Sequence, residues 1–299
     1  MTSARAKLYI AYLLMSRQKA FYANAHTLHR RLRSHQRPAQ RRPPRRFGHE
    51  VEHAEVDGFP MWTVLPHGRI RRHVFHVHGG GYVEEIEGHH WHFAGELADR
   101  LGAAVTLPIY PLVPRHGHTE TLPMVQHSYD QVLAEAGAET TVLSGDSAGG
   151  ALALAIAQRL RADGRPQPVR TLLFSPWLDV TLPDPMSELL DEHDPMLGLA
   201  GLREAGRMYA EGGDPADPRI SPLHADPAGL GPLSLFIGTR DVLLPDARRF
   251  ATEAEEAGVP VDYYEHPGMF HNWVMQPIPE GREAMNHVER ILRRPPGPA

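Results

Sequence analysis

Positions 142–152 read VLSGDSAGGAL, and no other stretch limits the architecture of this chain so tightly. An apolar, strand-like run at 140–143 gives way almost at once to an Ala-rich, helix-like run at 149–162. So abrupt a passage brings a strand and a helix into direct contact. The residues two before and two after the turn must then be very small, and here they are Gly145 and Gly149, with Ser147 between them. Ala148, Gly150, Ala151, Ala153 and Ala155 keep the following helix slim enough to lie on a sheet. Packing alone accounts for the small residues. A turn built to present one side chain would account for the serine as well.

The rest of the chain repeats this strand-then-helix unit. Strand-like runs fall at 51–56, 62–65, 72–78, 104–108, 140–143, 170–174, 233–237 and 261–264. Helix-like runs fall at 90–101, 122–136, 149–162, 199–210, 246–257 and 282–293. The first strands read as antiparallel and the later ones as successive βα units. That order predicts a mostly parallel sheet with helices on both faces. Two segments fit neither layer: residues 1–48, a helix followed by an Arg- and Pro-rich linker at 37–47, and residues 179–213, rich in Pro and acids. Both are expected over the carboxyl ends of the strands as two parts of a cap, with 49–178 and 214–299 forming the core.

Charge and composition narrow the partners. The first fifty residues carry twelve Lys and Arg against one acid, Glu50, although the whole chain has a net charge of −5. Arg30, Arg31, Arg33, Arg37, Arg41, Arg42, Arg45 and Arg46 make most of this arm, without the interleaved aromatics that base stacking wants. It reads as a solvated arm drawn to an acidic body, so no nucleic-acid partner is expected. No apolar run approaches the ~18 residues of a membrane span, so no integral membrane partner is expected either. Leu8–Met15 is short for a secretory signal and is followed directly by Arg17 and Lys19, which points to a cytoplasmic location. Leu8, Tyr12, Met15 and Tyr22 instead fall near helical spacing, as in an amphipathic helix lying on something. With no cysteine in the chain, disulfides, thiolate metal sites and cysteine nucleophiles are excluded.

A reactive serine needs a base, an acid to orient the base, and donors for an oxyanion. His78-Gly79-Gly80-Gly81-Tyr82 follows the strand at 72–78, and three glycines let consecutive N–H groups face one point together with that of Ala148. Gly-Thr-Arg-Asp places Asp241 at the carboxyl end of the strand at 233–237. Gly-Met-Phe-His places His271 on the loop after the strand at 261–264. Asp246 and His266 are the competitors, although an acid that opens a helix, as Asp246 does, is explained by the helix dipole. His76, His78, His89, His90 and His92 cluster near the glycines but lack a two-histidine helical metal motif, and no metal is expected. The order Ser147, Asp241, His271 suits a sheet of this type.

Seven motifs make the set specific: HGGGY (78–82), YPLVP (110–114), GDSAGG (145–150), SPWLD (175–179), DPRISPL (217–223), GTRDVL (238–243) and GMFHNW (268–273). Together they resemble the α/β-hydrolase superfamily, and within it the bacterial hormone-sensitive-lipase-like esterases. One departure is Pro111-Leu112-Val113-Pro114-Arg115, where the family commonly has an Arg-Leu-Ala-Pro-Glu form. The resemblance implies an α/β-hydrolase fold: a mostly parallel central sheet of about eight strands, helices on both faces and a helical cap. It also implies a serine carboxylesterase acting through an acyl-enzyme, with Ser147 as nucleophile, His271 as base and Asp241 as orienting acid. Gly79, Gly80 and Ala148 would supply the oxyanion N–H groups. No cofactor is implied. The expected substrate is a small-molecule ester with a short to medium acyl chain. Deacetylation of a natural product or opening of a lactone would use the same triad. Plant hormone receptors that share this fold lose the triad histidine, which this chain keeps. A homodimer is left open.

Overall fold

The computed structural model describes residues 2–35 and 41–293. Eight strands form one sheet in the order β1-β2-β4-β3-β5-β6-β7-β8. They are β1 (Val51–Val56), β2 (Phe59–Val64), β3 (Arg72–Val77), β4 (Ala103–Pro108), β5 (Thr141–Asp146), β6 (Arg170–Phe174), β7 (Leu233–Gly238) and β8 (Val261–His266). β1 pairs with β2, and β2 with β4, antiparallel; every later pairing is parallel. The burial patterns explain the order. β4, β5 and β7 are buried along their whole length, as strands covered on both faces must be. β1 exposes Glu52 and Glu55 and sits at the edge, where charge discourages further pairing.

The helices are α1 (Ala4–Ser16), α2 (Ala25–His35), α3 (Gly88–Leu101), α4 (His118–Ala136), α5 (Ala148–Ala162), α6 (Pro185–Asp191), α7 (Leu199–Ala210), α8 (Leu244–Glu256) and α9 (Pro279–Arg293). Two of them differ from the sequence reading. Part of the basic arm is helix: α2 buries Leu28 and Leu32, four residues apart, beneath its arginines. α6 is a single short turn-rich helix, capped by Asp184, whose side chain accepts the Met186 N–H. Within the expected linker, residues 37–40 lie outside the described residues.

The turn after α1 and the start of α7 come together beside Ser147 and His271, all of them lining one cavity. Tyr22 is the joint: a Cβ on Gly198 or on Gly201 would lie 2.4 Å from its carbonyl oxygen, so only glycine lets α7 come this close. Below, Tyr209 of α7 stacks on Tyr82 of the glycine turn at 3.7 Å. α1 packs differently from expectation. Ala6, Ile10 and Leu13 face inward, the Ser3 hydroxyl donates to Glu280 of α9, and Tyr9 stacks on Phe270. Leu8, Tyr12 and Met15, the stripe expected to lie on something, face out.

Candidate active site

Ser147 links β5 directly to α5 with φ 53° and ψ −123°, a backbone conformation that costs a non-glycine residue of order 1–3 kcal/mol. Its surroundings hold it there. The Ser147 N–H donates to the Phe174 carbonyl at 2.9 Å, and the Trp177 N–H donates to the Ser147 carbonyl at 3.0 Å. The glycines on either side permit the crossing. A Cβ on Gly145 would meet the Gly149 oxygen at 2.2 Å, and one on Gly149 would meet the Val77 oxygen at 2.0 Å. As the first residue of α5, Ala148 has an N–H with no acceptor inside the helix, at the positive end of its dipole.

Because β5, β7 and β8 are parallel, their carboxyl ends share one edge of the sheet, and the loops there converge. Asp241, fully buried, accepts the Leu243 N–H through Oδ1 and contacts His271 Nδ1 through Oδ2 at 2.9 Å. His271 and Ser147 line one cavity of about 280 Å³. Burial disfavours a charged imidazole, but Asp241 outweighs it, with Asp194 and Asp146 adding to the effect, so the His271 pKa is raised. The two competitors lie apart. Asp246 is pushed up to about 7 by burial and by Asp179, and His266 packs its ring on Trp273.

Asp146, the residue before the serine, ties three loops together. Its Oδ1 accepts the Gly79 N–H at 2.9 Å, and its Oδ2 accepts from Asn272 Nδ2 at 2.6 Å. His76 Nε2 and His90 Nε2 lie 3.3 and 3.6 Å from the same carboxylate. Burial alone would raise its pKa, yet His90 and His76 hold it well below the usual carboxylate range. One expectation changes here. The Gly79 N–H is committed to Asp146, and a Cβ at Gly79 would lie 2.3 Å from that carboxylate, so Gly79 locks the turn. Gly80 and Gly81 are the glycines that line the cavity with Ser147. Tyr110 supports the turn from behind: its hydroxyl donates to the His78 carbonyl and its ring stacks on the His78 imidazole.

The remaining walls are partly polar. Glu84 accepts the Tyr22 hydroxyl at 2.8 Å and is pushed up to about 7, by burial first and Glu87 second. Glu85 is held by Arg41 at 2.9 Å. Pro114 and Arg115, in the segment that departs from the family form, are exposed and line none of this cavity. Among the described residues, three potential metal donors come within reach of one another only at the surface, in His49, His67 and Asp99, and none is a histidine from the glycine-side cluster.

Sequence reasoning passed over Asp146, Asn272 and Asp194. Asp146 and Asn272 stand inside quoted motifs, directly beside Ser147 and His271, and that adjacency was the available signal. Asp194 carried none: its place behind Asp241 depends on how 179–213 folds back, where its Oδ2 accepts the Val242 N–H at 3.1 Å.

Comparison with known proteins agrees with this geometry. A family model described as the alpha/beta hydrolase fold matches residues 74–275. An acetyl-hydrolase of Streptomyces hygroscopicus is 34% identical over 237 residues, covering 78% of this chain and 79% of that protein. An esterase of Acinetobacter venetianus is 33% identical over 219 residues, covering 72% of each. Among solved structures, an esterase from the bacterial hormone-sensitive lipase family superposes with a TM-score of 0.82 at 27% identity, covering 98% of this chain and 99% of that one. A hormone-sensitive lipase from a metagenome library gives a TM-score of 0.83 at 26% identity, covering 96% and 97%.

Proposed function

The chain belongs to the α/β-hydrolase fold family, among the bacterial hormone-sensitive-lipase-like esterases, and we propose that it cleaves short- to medium-chain carboxylic esters through an acyl-enzyme on Ser147. One observation carries this reading: the 2.9 Å contact between Asp241 and His271, beside the cavity that His271 shares with the strained Ser147. His271 takes the hydroxyl proton as Ser147 attacks the acyl carbon. Asp241 fixes the tautomer and stabilises the imidazolium, and His271 then protonates the leaving alcohol and activates water for deacylation. For the oxyanion we assign the N–H groups of Gly80, Gly81 and Ala148, since Gly79 is taken by Asp146. Each such donor contributes roughly 2.7–4 kcal/mol of transition-state stabilisation. Every step is carried by side chains and backbone groups of the chain itself.

The acyl range follows from the space available. A cavity of about 280 Å³ is just below the ~300–1,000 Å³ usual for small-molecule sites, and Glu84 and Glu85 in its wall are poor neighbours for a long alkyl chain. The cap, which we assign to 1–48 and 179–213, closes this space over the core. Deacetylation is the second reading, favoured by the 34% identity to an acetyl-hydrolase.

A panel of nitrophenyl esters of increasing acyl length, run on wild type and Ser147→Ala, tests both. Rates should peak at short to medium chains, and Ser147→Ala should lower kcat by about 10⁴–10⁶. A profile confined to acetate would select the deacetylase reading, and an undiminished mutant would overturn the assignment. Because the His271 pKa is raised and the base must be neutral, kcat/KM should lose activity as pH falls through a value above the ordinary imidazole pKa of about 6.5.

A further inference from the structure

Large apolar side chains stand exposed at seven described positions, and six of them lie on α1 and α6: Leu8, Tyr12, Leu14, Met15, Met186 and Leu189. The pattern on α1 is unusual. Ala6, Ile10 and Leu13 form an apolar stripe facing the body, while Leu8, Tyr12 and Met15 form a second stripe at the same spacing. At 3.6 residues per turn the two stripes fall on opposite sides of the helix. A helix apolar on both sides is ordinarily enclosed on both, and α1 is enclosed on one. Leu8 and Met15 remain 72% and 76% exposed.

Charge indicates what covers the outer stripe. Arg5 and Lys7 flank it, Arg17 follows it, and no acidic residue precedes Glu50 in the chain. Among the described residues no carboxylate pairs with Arg5, Lys7 or Arg17, whereas Lys19 pairs with Asp191 at 3.0 Å and holds α6 beside the turn after α1. A second copy of this chain is a poor partner, because a two-fold contact would bring the same cations face to face. A polyanion without an apolar layer would leave Leu8, Tyr12 and Met15 uncovered.

We propose that this face seats the protein on an anionic lipid surface, with Leu8, Tyr12 and Met15 in the acyl–headgroup boundary and Arg5, Lys7 and Arg17 against the lipid phosphates. The site of ester cleavage gains from this placement. Ser16, Arg17 and Gln18, at the end of α1, line the cavity that holds Ser147, so docking brings its mouth to the interface. The docking itself is independent of the proposed catalytic reading.

Co-sedimentation of the full-length protein with lipid vesicles tests it, using phosphatidylcholine alone and phosphatidylcholine mixed with phosphatidylglycerol. Binding is expected on the mixed vesicles only, weakened by added salt, and reduced at least about tenfold in the double variant Leu8→Glu, Met15→Glu. Unchanged hydrolysis of soluble nitrophenyl acetate by that variant shows that it is folded. No binding to the mixed vesicles, equal binding to both kinds, or undiminished binding by the folded variant overturns the proposal. A protein that stays off the vesicles and sediments as a dimer, which the same variant dissociates, would assign the face to a second copy instead.

Discussion

A methyl group at position 149 would lie 2.0 Å from the Val77 oxygen and 2.5 Å from that of His78, both of them backbone atoms that cannot swing aside. α5 would have to lift from the sheet, and Ser147 with it. Gly149→Ala should therefore destabilise the protein by about 3 kcal/mol, the top of the usual overpacking range, with loss of esterase activity. Gly88→Ala is the control, because a Cβ there meets nothing within 4 Å, and its effect should stay under about 1 kcal/mol. Urea unfolding of both variants checks the pair. At this scale the sequence was legible where a residue's neighbour in space was also its neighbour in the chain, as with Gly145, Ser147 and Gly149. The partner of the Gly79 N–H was not legible in this way, because Asp146 lies 67 positions away on another strand.

Elements matter through what they carry across the fold. The loop between α6 and α7 brings Asp194 behind the Asp241–His271 pair, where it accepts the N–H groups of Met196, Leu197 and Val242. Burial first and Asp241 second push the Asp194 carboxyl up to about 7, and its charge helps to raise His271. Asp194→Asn removes that charge and makes the imidazolium less stable. The acid limb of kcat/KM should then move to lower pH. A purely structural role would instead lower kcat at every pH and leave the limb in place. Helix α2 shows the converse limit on sequence reading. Its arginines dominate the composition of that stretch, while the two leucines that fold it, Leu28 and Leu32, join an apolar cluster built from elements far along the chain.

Across the whole molecule, acid should unfold this protein through groups whose pKa falls on folding. Asp146 is held low by His90 and His76 against its burial, and Glu204 and Asp217 are held to about 2 by Arg207 and Arg219. His78 is lowered to about 3 by burial. A depressed pKa contributes stability that is fully present above the unfolded value and is lost as pH falls toward the folded one. Carboxylates pushed up to about 7, such as Asp194, Asp246 and Glu84, act the other way: the native state protonates them first, so they add stability as pH falls from about 7 toward 4 and little further below that. His78 costs stability from about pH 6.5 downward, where the raised carboxylates offset it, so the urea midpoint should fall steadily only below about pH 4, where the unfolded chain takes up protons that the native state refuses.

By itself the sequence determined the layered α/β architecture, because small residues at a strand-to-helix turn and repeated βα units leave few other ways to bury the core. It also singled out Ser147, Asp241 and His271, since each follows a strand and parallel strands send their ends to one edge. Only the tertiary structure decided which glycines face the cavity, that Asp146 and Asn272 tie the loops together, and that Asp194 stands behind the acid. It alone also decided which of two apolar stripes on α1 turns inward. The physical reason is common to all of these: a side chain's spacing along the chain fixes its direction relative to its own element, while its partner is chosen by the packing of elements far apart in sequence.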